Sequence, residues 1–244
     1  MENIFVFFIG TIFGSFINAT AYRVVRKIGF IFERSCCPVC HHQLSFLDMI
    51  PIVSYVLKQG RCTYCKNKIT KRYLITELLG GINAVACWNS AESTIQQFLF
   101  FYIFNLLLFM SLVDIEIKEI KDSYQLILLI VTIIIVSIEK WSINNYIGMI
   151  IISLPLLVIA LITKSIGGAD IKLFFTLGLL VKTKGIIIIY LLTIGFASIF
   201  AFYRLVKENN KKEEIALVPF IYLAFLIYKY FEKHLLVCLT IWLT

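Results

Sequence analysis

Long apolar runs, rather than alternation of apolar and polar positions, dominate this chain from residue 3 onward. They predict spans near 3–22, 73–89, 96–114, 123–139, 143–163, 171–182, 185–203 and 215–231, with a further apolar tail at 235–244. A helix needs ~20 apolar residues to cross a bilayer. By that measure three segments are weak: 73–89 holds Glu77 and a glycine pair, 123–139 is short, and 171–182 is shorter still. A short segment crosses if it pairs with a neighbour or lines a cavity. One polar stretch, 23–72, interrupts the pattern. The expected fold is an all-α polytopic integral membrane protein of about eight transmembrane helices. Its parts are a first helix at 1–22, a small four-cysteine insert at 23–72, and a seven-helix membrane domain at 73–244. No internal repeat is evident.

Composition agrees: 60% of residues are hydrophobic and 16% charged, too apolar for a water-soluble chain. The formal charge of +8 does not point to nucleic acid, because the basic residues are scattered over short connections. They set topology instead. With the N-terminus outside, the loops at 23–72, 115–123, 164–172 and 204–214 hold ten, two, two and four Lys plus Arg, 18 of the 23. Cationic loops stay in the cytoplasm, so the insert is expected there. The opening MENIFVFFIGTIFGSF lacks the basic start and cleavage site of a signal peptide and reads as a span that stays.

The insert contains CPVC at 37–40 and CTYC at 62–65. Two such turns can point four thiolates, Cys37, Cys40, Cys62 and Cys65, at one tetrahedral zinc. Filling all four positions with sulfur leaves none for water, so the zinc is structural. A redox dithiol pair is the alternative, disfavoured in the cytoplasm. Cys36 and the histidines at 41 and 42 are competing ligands that the spacing does not require.

Two acids stand out against the apolar background. Asp114 ends the run FLFFYIFNLLLFMSLVD, and Asp170 follows the glycines Gly167 and Gly168 in SIGGADIKLF. Two spans lie between them, an even number, so both reach the same membrane face. Ionisable residues at such positions are functional candidates by default. Two neighbouring carboxyls can share one proton, one acting as base on a water and the other as acid on a carbonyl oxygen. That is aspartic-peptidase chemistry and needs no metal in the peptidase site. The bland reading is two solvated helix-end acids: a helix N-terminus suits Asp170 but a C-terminus does not suit Asp114. Asp122 reads as an N-cap or first-turn acid of the next span. Glu77, facing substrate or paired with Arg72 or Lys71, and Lys172, just past Asp170, are supporting candidates together with the two glycines.

In combination these features resemble the bacterial type IV prepilin peptidases. GSFINATAYRV is similar to that family's signature at the end of span one, and 34–81 to its cysteine domain, including Asp48–Pro51, Gly60–Cys62 and Arg72–Glu77. LVDIEIKEIKD and SIGGADIKLF resemble the segments carrying its two catalytic aspartates, and IALVPF its final proline-containing motif. Two positions depart: Ala169 replaces the last glycine of Gly-x-Gly-Asp, and Lys121 stands where the family has proline.

The resemblance implies a peptidase of the bacterial inner membrane with its active site facing the cytoplasm. It would cut the short leader of type IV prepilins or pseudopilins. Its implied partners are therefore those substrates and membrane lipid, with no nucleic acid. Many members also N-methylate the new terminus with S-adenosylmethionine, and no motif locates that activity here. Two other readings stay open: a presenilin-like intramembrane protease, and a non-enzymatic transporter or scaffold with a zinc docking module.

Overall fold

The computed structural model of the chain describes residues 1–28, 35–90, 93–163, 167–208, 215–232 and 235. All but the first residue of the apolar tail expected at 235–244 lies outside them, as do Arg34, Lys164, Lys211 and Lys212 of the basic loops. The described residues are helical throughout, apart from turns and two isolated β-bridges. They pack as two compact units, 1–113 and 114–244.

In the first unit, α1 (Glu2–Arg26) lies along α3 (Lys71–Ser90), and α4 (Thr94–Ile117) begins. The α1–α3 contact is backbone against backbone. A Cβ on Gly10 would fall 2.4 Å from Gly80 O, and one on Gly14 would fall 2.4 Å from Thr76 O. Small residues one turn apart let membrane helices approach this closely, where dispersion rather than a hydrophobic drive holds them. Phe13 of α1 meets Phe101 of α4 edge to face at 5.1 Å. Between α1 and α3 the insert forms a short 3₁₀ turn, Phe46–Met49, and a one-turn helix α2, Val53–Leu57.

The second unit starts at Asp114, near the end of α4. Lys118, at φ 54°, turns the chain out of that helix and donates its N–H to Asp114 O. There follow α5 (Asp122–Glu139), α6 (Ile143–Ile151), α7 (Ser153–Thr163), α8 (Gly168–Glu208) and α9 (Val218–Tyr230). Pro155 lacks the N–H that would bond Ile151 O, which accounts for the interruption between α6 and α7.

Helix α8 breaks at Lys182 (φ 63°, ψ −178°), the boundary expected between the 171–182 and 185–203 spans. The break frees the carbonyl of Leu179, and Asn145 of α6 donates its Nδ2–H to it at 2.8 Å. Thr183 in turn donates to Asn144 O. Gly148 lets α6 seat there: a Cβ on it would lie 2.5 Å from Gly178 O.

Among the described residues, five helices are long and apolar enough to cross a membrane: Glu2–Arg26, Thr94–Ile117, Asp122–Glu139, Ile143–Thr163 (α6 and α7 together) and Gly168–Lys207. Their outer surfaces show large apolar side chains, Phe5, Phe98, Ile130, Leu161 and Phe202 among them. Helix α9 has 13 residues, and α3 carries too many polar residues to qualify on composition.

Candidate active site

Within the second unit Asp114 and Asp170 lie within electrostatic reach of each other. Asp114 sits in the last turn of α4 with only 7% of its surface exposed. Its Oδ2 accepts the backbone N–H of Val218, the first residue of α9, at 3.1 Å. A carboxylate misplaced at the C-terminus of its own helix is thus placed at the N-terminus of another, where free N–H groups and the helix dipole favour negative charge. Asp170 lies in the first turn of α8, where its N–H bonds Gly167 O at 3.1 Å. Asp114 is the charged group that acts on it through space.

Neither Gly167 nor Gly168 adopts positive φ, and Ala169 is helical. Of the two uses a glycine has here, a sharp turn or a close approach, the turn is therefore not made and the space requirement is what remains. A Cβ on Gly167 would lie 3.2 Å from Asp170 Oδ2, while one on Gly168 would meet nothing within 4 Å. Alanine at 169 fits because helical backbone asks nothing special of it.

Sequence reasoning passed over Gln125. This residue of α5 is 5% exposed, and its Nε2–H donates to Ala169 O at 3.0 Å, immediately before Asp170. Its Oε1 is buried without a hydrogen-bond partner among the described residues. The one available signal was a lone amide inside the apolar run YQLILLIV. A cleft of ≈ 580 Å³ runs between α5 and α8 here, lined by Gln125, Leu126, Leu129, Lys172, Phe175 and Thr176. At its edge Lys172 is hydrogen-bonded to Asp122, both exposed. Asp122 is the first residue of α5, as expected.

In the first unit, Glu77 meets neither Arg72 nor Lys71 in a salt bridge. Its Oε2 accepts the N–H of Ile52 at 2.7 Å, with Ser15 as a further partner. Glu77 thus fastens the insert to the helices.

The cysteine insert contains a repeat that its sequence hides. Each Cys-x-x-Cys turn closes with a backbone bond, His41 N–H to Cys37 O and Lys66 N–H to Cys62 O, at 2.9 and 3.0 Å. His41 and Lys66 both have left-handed φ, and the bridges Cys36–Gln43 and Arg61–Lys68 flank the two turns equivalently. The backbone geometry around the two Cys-x-x-Cys turns thus recurs with a shift of 25 positions, while the residues between and around the cysteines differ.

The four sulfurs of Cys37, Cys40, Cys62 and Cys65 lie within 4.8 Å of one another, with Cys37 to Cys65 at 3.9 Å. Tetrahedral zinc with ~2.3 Å bonds sets sulfurs about 3.8 Å apart, so the cluster fits. The Cys62 thiol is drawn down to about 7 by the backbone N–H groups of Cys65 and Tyr64, which favours the metal-binding thiolate. Cys36 is exposed and outside the cluster. Asp48 braces the second turn: it accepts from Lys58, Ser45, Thr63 and Tyr64. The Lys58 ammonium and Ser45 hold its carboxyl well below the usual range.

Residues 8–91 match the bacterial peptidase A24 N-terminal domain, and residues 99–202 match the type IV leader peptidase family. A prepilin leader peptidase/N-methyltransferase of Vibrio cholerae is 26% identical over 211 residues, covering 80% of this chain and 83% of that one. A protein of the same name from Bacillus subtilis is 29% identical over 183 residues, 73% of each chain. A third, from Myxococcus xanthus, is 37% identical over 84 residues, 34% of this chain and 25% of that one. No solved structure matches.

Proposed function

The chain belongs to the type IV leader peptidase family, and from that membership we propose that Asp114 and Asp170 are the carboxyl pair with which it removes the leader of a prepilin or pseudopilin. The observation that carries this is that two buried or half-buried carboxyls, at the ends of two membrane helices, lie within electrostatic reach of each other. Like charges this near resist joint ionisation, so the pair holds one proton between them. The ionised member takes a proton from water, and the other donates to the scissile carbonyl oxygen. The Val218 N–H favours Asp114 as the carboxylate, leaving Asp170 as the acid.

Eight spans accommodate the helices if α3 and α9 cross and α8 crosses twice, once on each side of Lys182. The charge count then puts the N-terminus outside and the aspartates at the cytoplasmic edge, where a basic leader is found ahead of an apolar helix. One structural zinc on Cys37, Cys40, Cys62 and Cys65 orders the insert. Bound there, it would draw the two turns together, and their backbone N–H groups orient the thiolates. The names of the relatives include N-methyltransferase. That second activity is read by transfer of a labelled methyl group from S-adenosylmethionine to the cleaved product, and no residues are assigned to it.

The test is co-expression with a prepilin of the same organism. Wild-type chain shortens the prepilin, whereas Asp114→Asn and Asp170→Asn leave it full length. Full processing by either variant overturns the assignment.

A further inference from the structure

The insert carries an apolar elbow that the cysteine cluster does not use. Between the two turns, the 3₁₀ turn Phe46–Met49 and α2 pack on each other. Outward they present Phe46 and Leu57, 80% and 78% exposed, with Leu47 and Val56 beside them. A contiguous patch of this kind marks a surface that something covers.

The depth of the elbow identifies what covers it. Ile52, between its two halves, gives its N–H to Glu77. Glu77 lies level with Gly14 of α1, since a Cβ on Gly14 would fall 3.0 Å from Glu77 Cα. Helix α1 is long and apolar enough to cross a membrane, and it stays free of charged residues from Gly14 through Tyr22. At ~1.5 Å per residue that is about 12 Å of further uncharged helix. The Ile52–Glu77 bond therefore seats the elbow beside this uncharged end of the span, at the edge of the membrane.

Non-helical backbone survives at such depth only if its polar groups are partnered. Several here are: Asp48 N–H goes to Ser45 O, Val53 to Pro51 O, Ser54 to Ile50 O and Val56 to Ile52 O. Glu77 takes that of Ile52, a residue whose φ of 63° no β-branched side chain favours. The flanking chain exposes Arg61, Lys66, Lys68 and Lys71, cations suited to anionic headgroups.

We propose that residues 46–57 form a lipid-dipping element. Phe46, Leu47, Val56 and Leu57 enter the acyl region of one leaflet, and the basic residues lie at its headgroups. The leaflet is cytoplasmic if the proposed topology holds, but the insertion itself does not depend on the peptidase reading. No substrate is needed to test it.

The full chain is reconstituted in bilayers of phosphatidylcholine and phosphatidylglycerol with Trp88, Trp141 and Trp242 replaced by Phe and Leu57→Trp introduced. Lipids brominated near the glycerol end of the acyl chain should at least halve the emission, and aqueous iodide should quench it little. Strong iodide quenching, or shielding from both quenchers as in a protein–protein contact, overturns the proposal. Wild-type chain in bilayers holding a diazirine lipid provides the second measurement. Adducts are expected on peptides spanning 46–57, and their absence from those peptides, when the peptides are detected, overturns it as well.

Discussion

The Oδ2 of Asp114 accepts the backbone N–H of Val218 at 3.1 Å, joining the end of α4 to the start of α9 across 104 positions of sequence. The bond gives Asp114 a capping duty beside the catalytic one proposed for it. Substitution separates them. Asparagine keeps an oxygen for the Val218 N–H, so Asp114→Asn should unfold at nearly the wild-type temperature while cleavage falls by about 10²–10⁴-fold. Asp114→Ala loses the cap too and should cost roughly 1 kcal/mol more in stability. Thermal unfolding in detergent beside a cleavage assay checks both, and equal stability of the two variants would argue against the capping role.

The glycines before Asp170 should behave differently. Gly168 faces open space in a helical turn, so Gly168→Ala should keep activity and gain a few tenths of a kcal/mol of helix preference, up to about 1 kcal/mol. Gly167→Ala presses a methyl toward Asp170 Oδ2 and must displace that carboxyl. Cleavage should fall about tenfold, as small misplacements of reacting groups do. If the two alanine variants cleave alike, the close contact at Gly167 is unimportant.

Gln125 pins the carbonyl preceding Asp170 and carries an acceptor with no partner. Gln125→Met would lose one hydrogen bond worth about 1 kcal/mol and also relieve a desolvated oxygen of similar cost. Stability should hardly change, while kcat drops several-fold at unchanged KM because Asp170 loses its anchor. A drop in stability matching the loss of activity would mark Gln125 as ordinary packing.

Metal content tests the insert. Purified chain should hold one zinc, Cys36→Ser should retain it, and Cys62→Ser with Cys65→Ser should lose it, read by elemental mass spectrometry. Zinc retained in the double variant would refute the four-sulfur site.

The helices follow from apolar runs because a bilayer rewards any long apolar segment that bonds its own backbone, and that demand is local. The break at 182 and the cysteine spacing are local signals too. The candidate pair was legible because an acid in an apolar run is costly enough to be conspicuous.

What Asp114 and Glu77 bond was not legible, since each takes the backbone N–H of a residue far away, Val218 or Ile52, and a backbone N–H leaves no trace in residue type. The role of Gly167 stayed open between two readings for a similar reason: glycine permits both unusual dihedrals and close contacts, and only the neighbouring Asp170 oxygen tells them apart. Residue chemistry alone determined which groups this protein carries into the membrane. Tertiary packing decided which of them touch, because contact depends on helix crossings set by small residues and backbone partners that any sequence supplies.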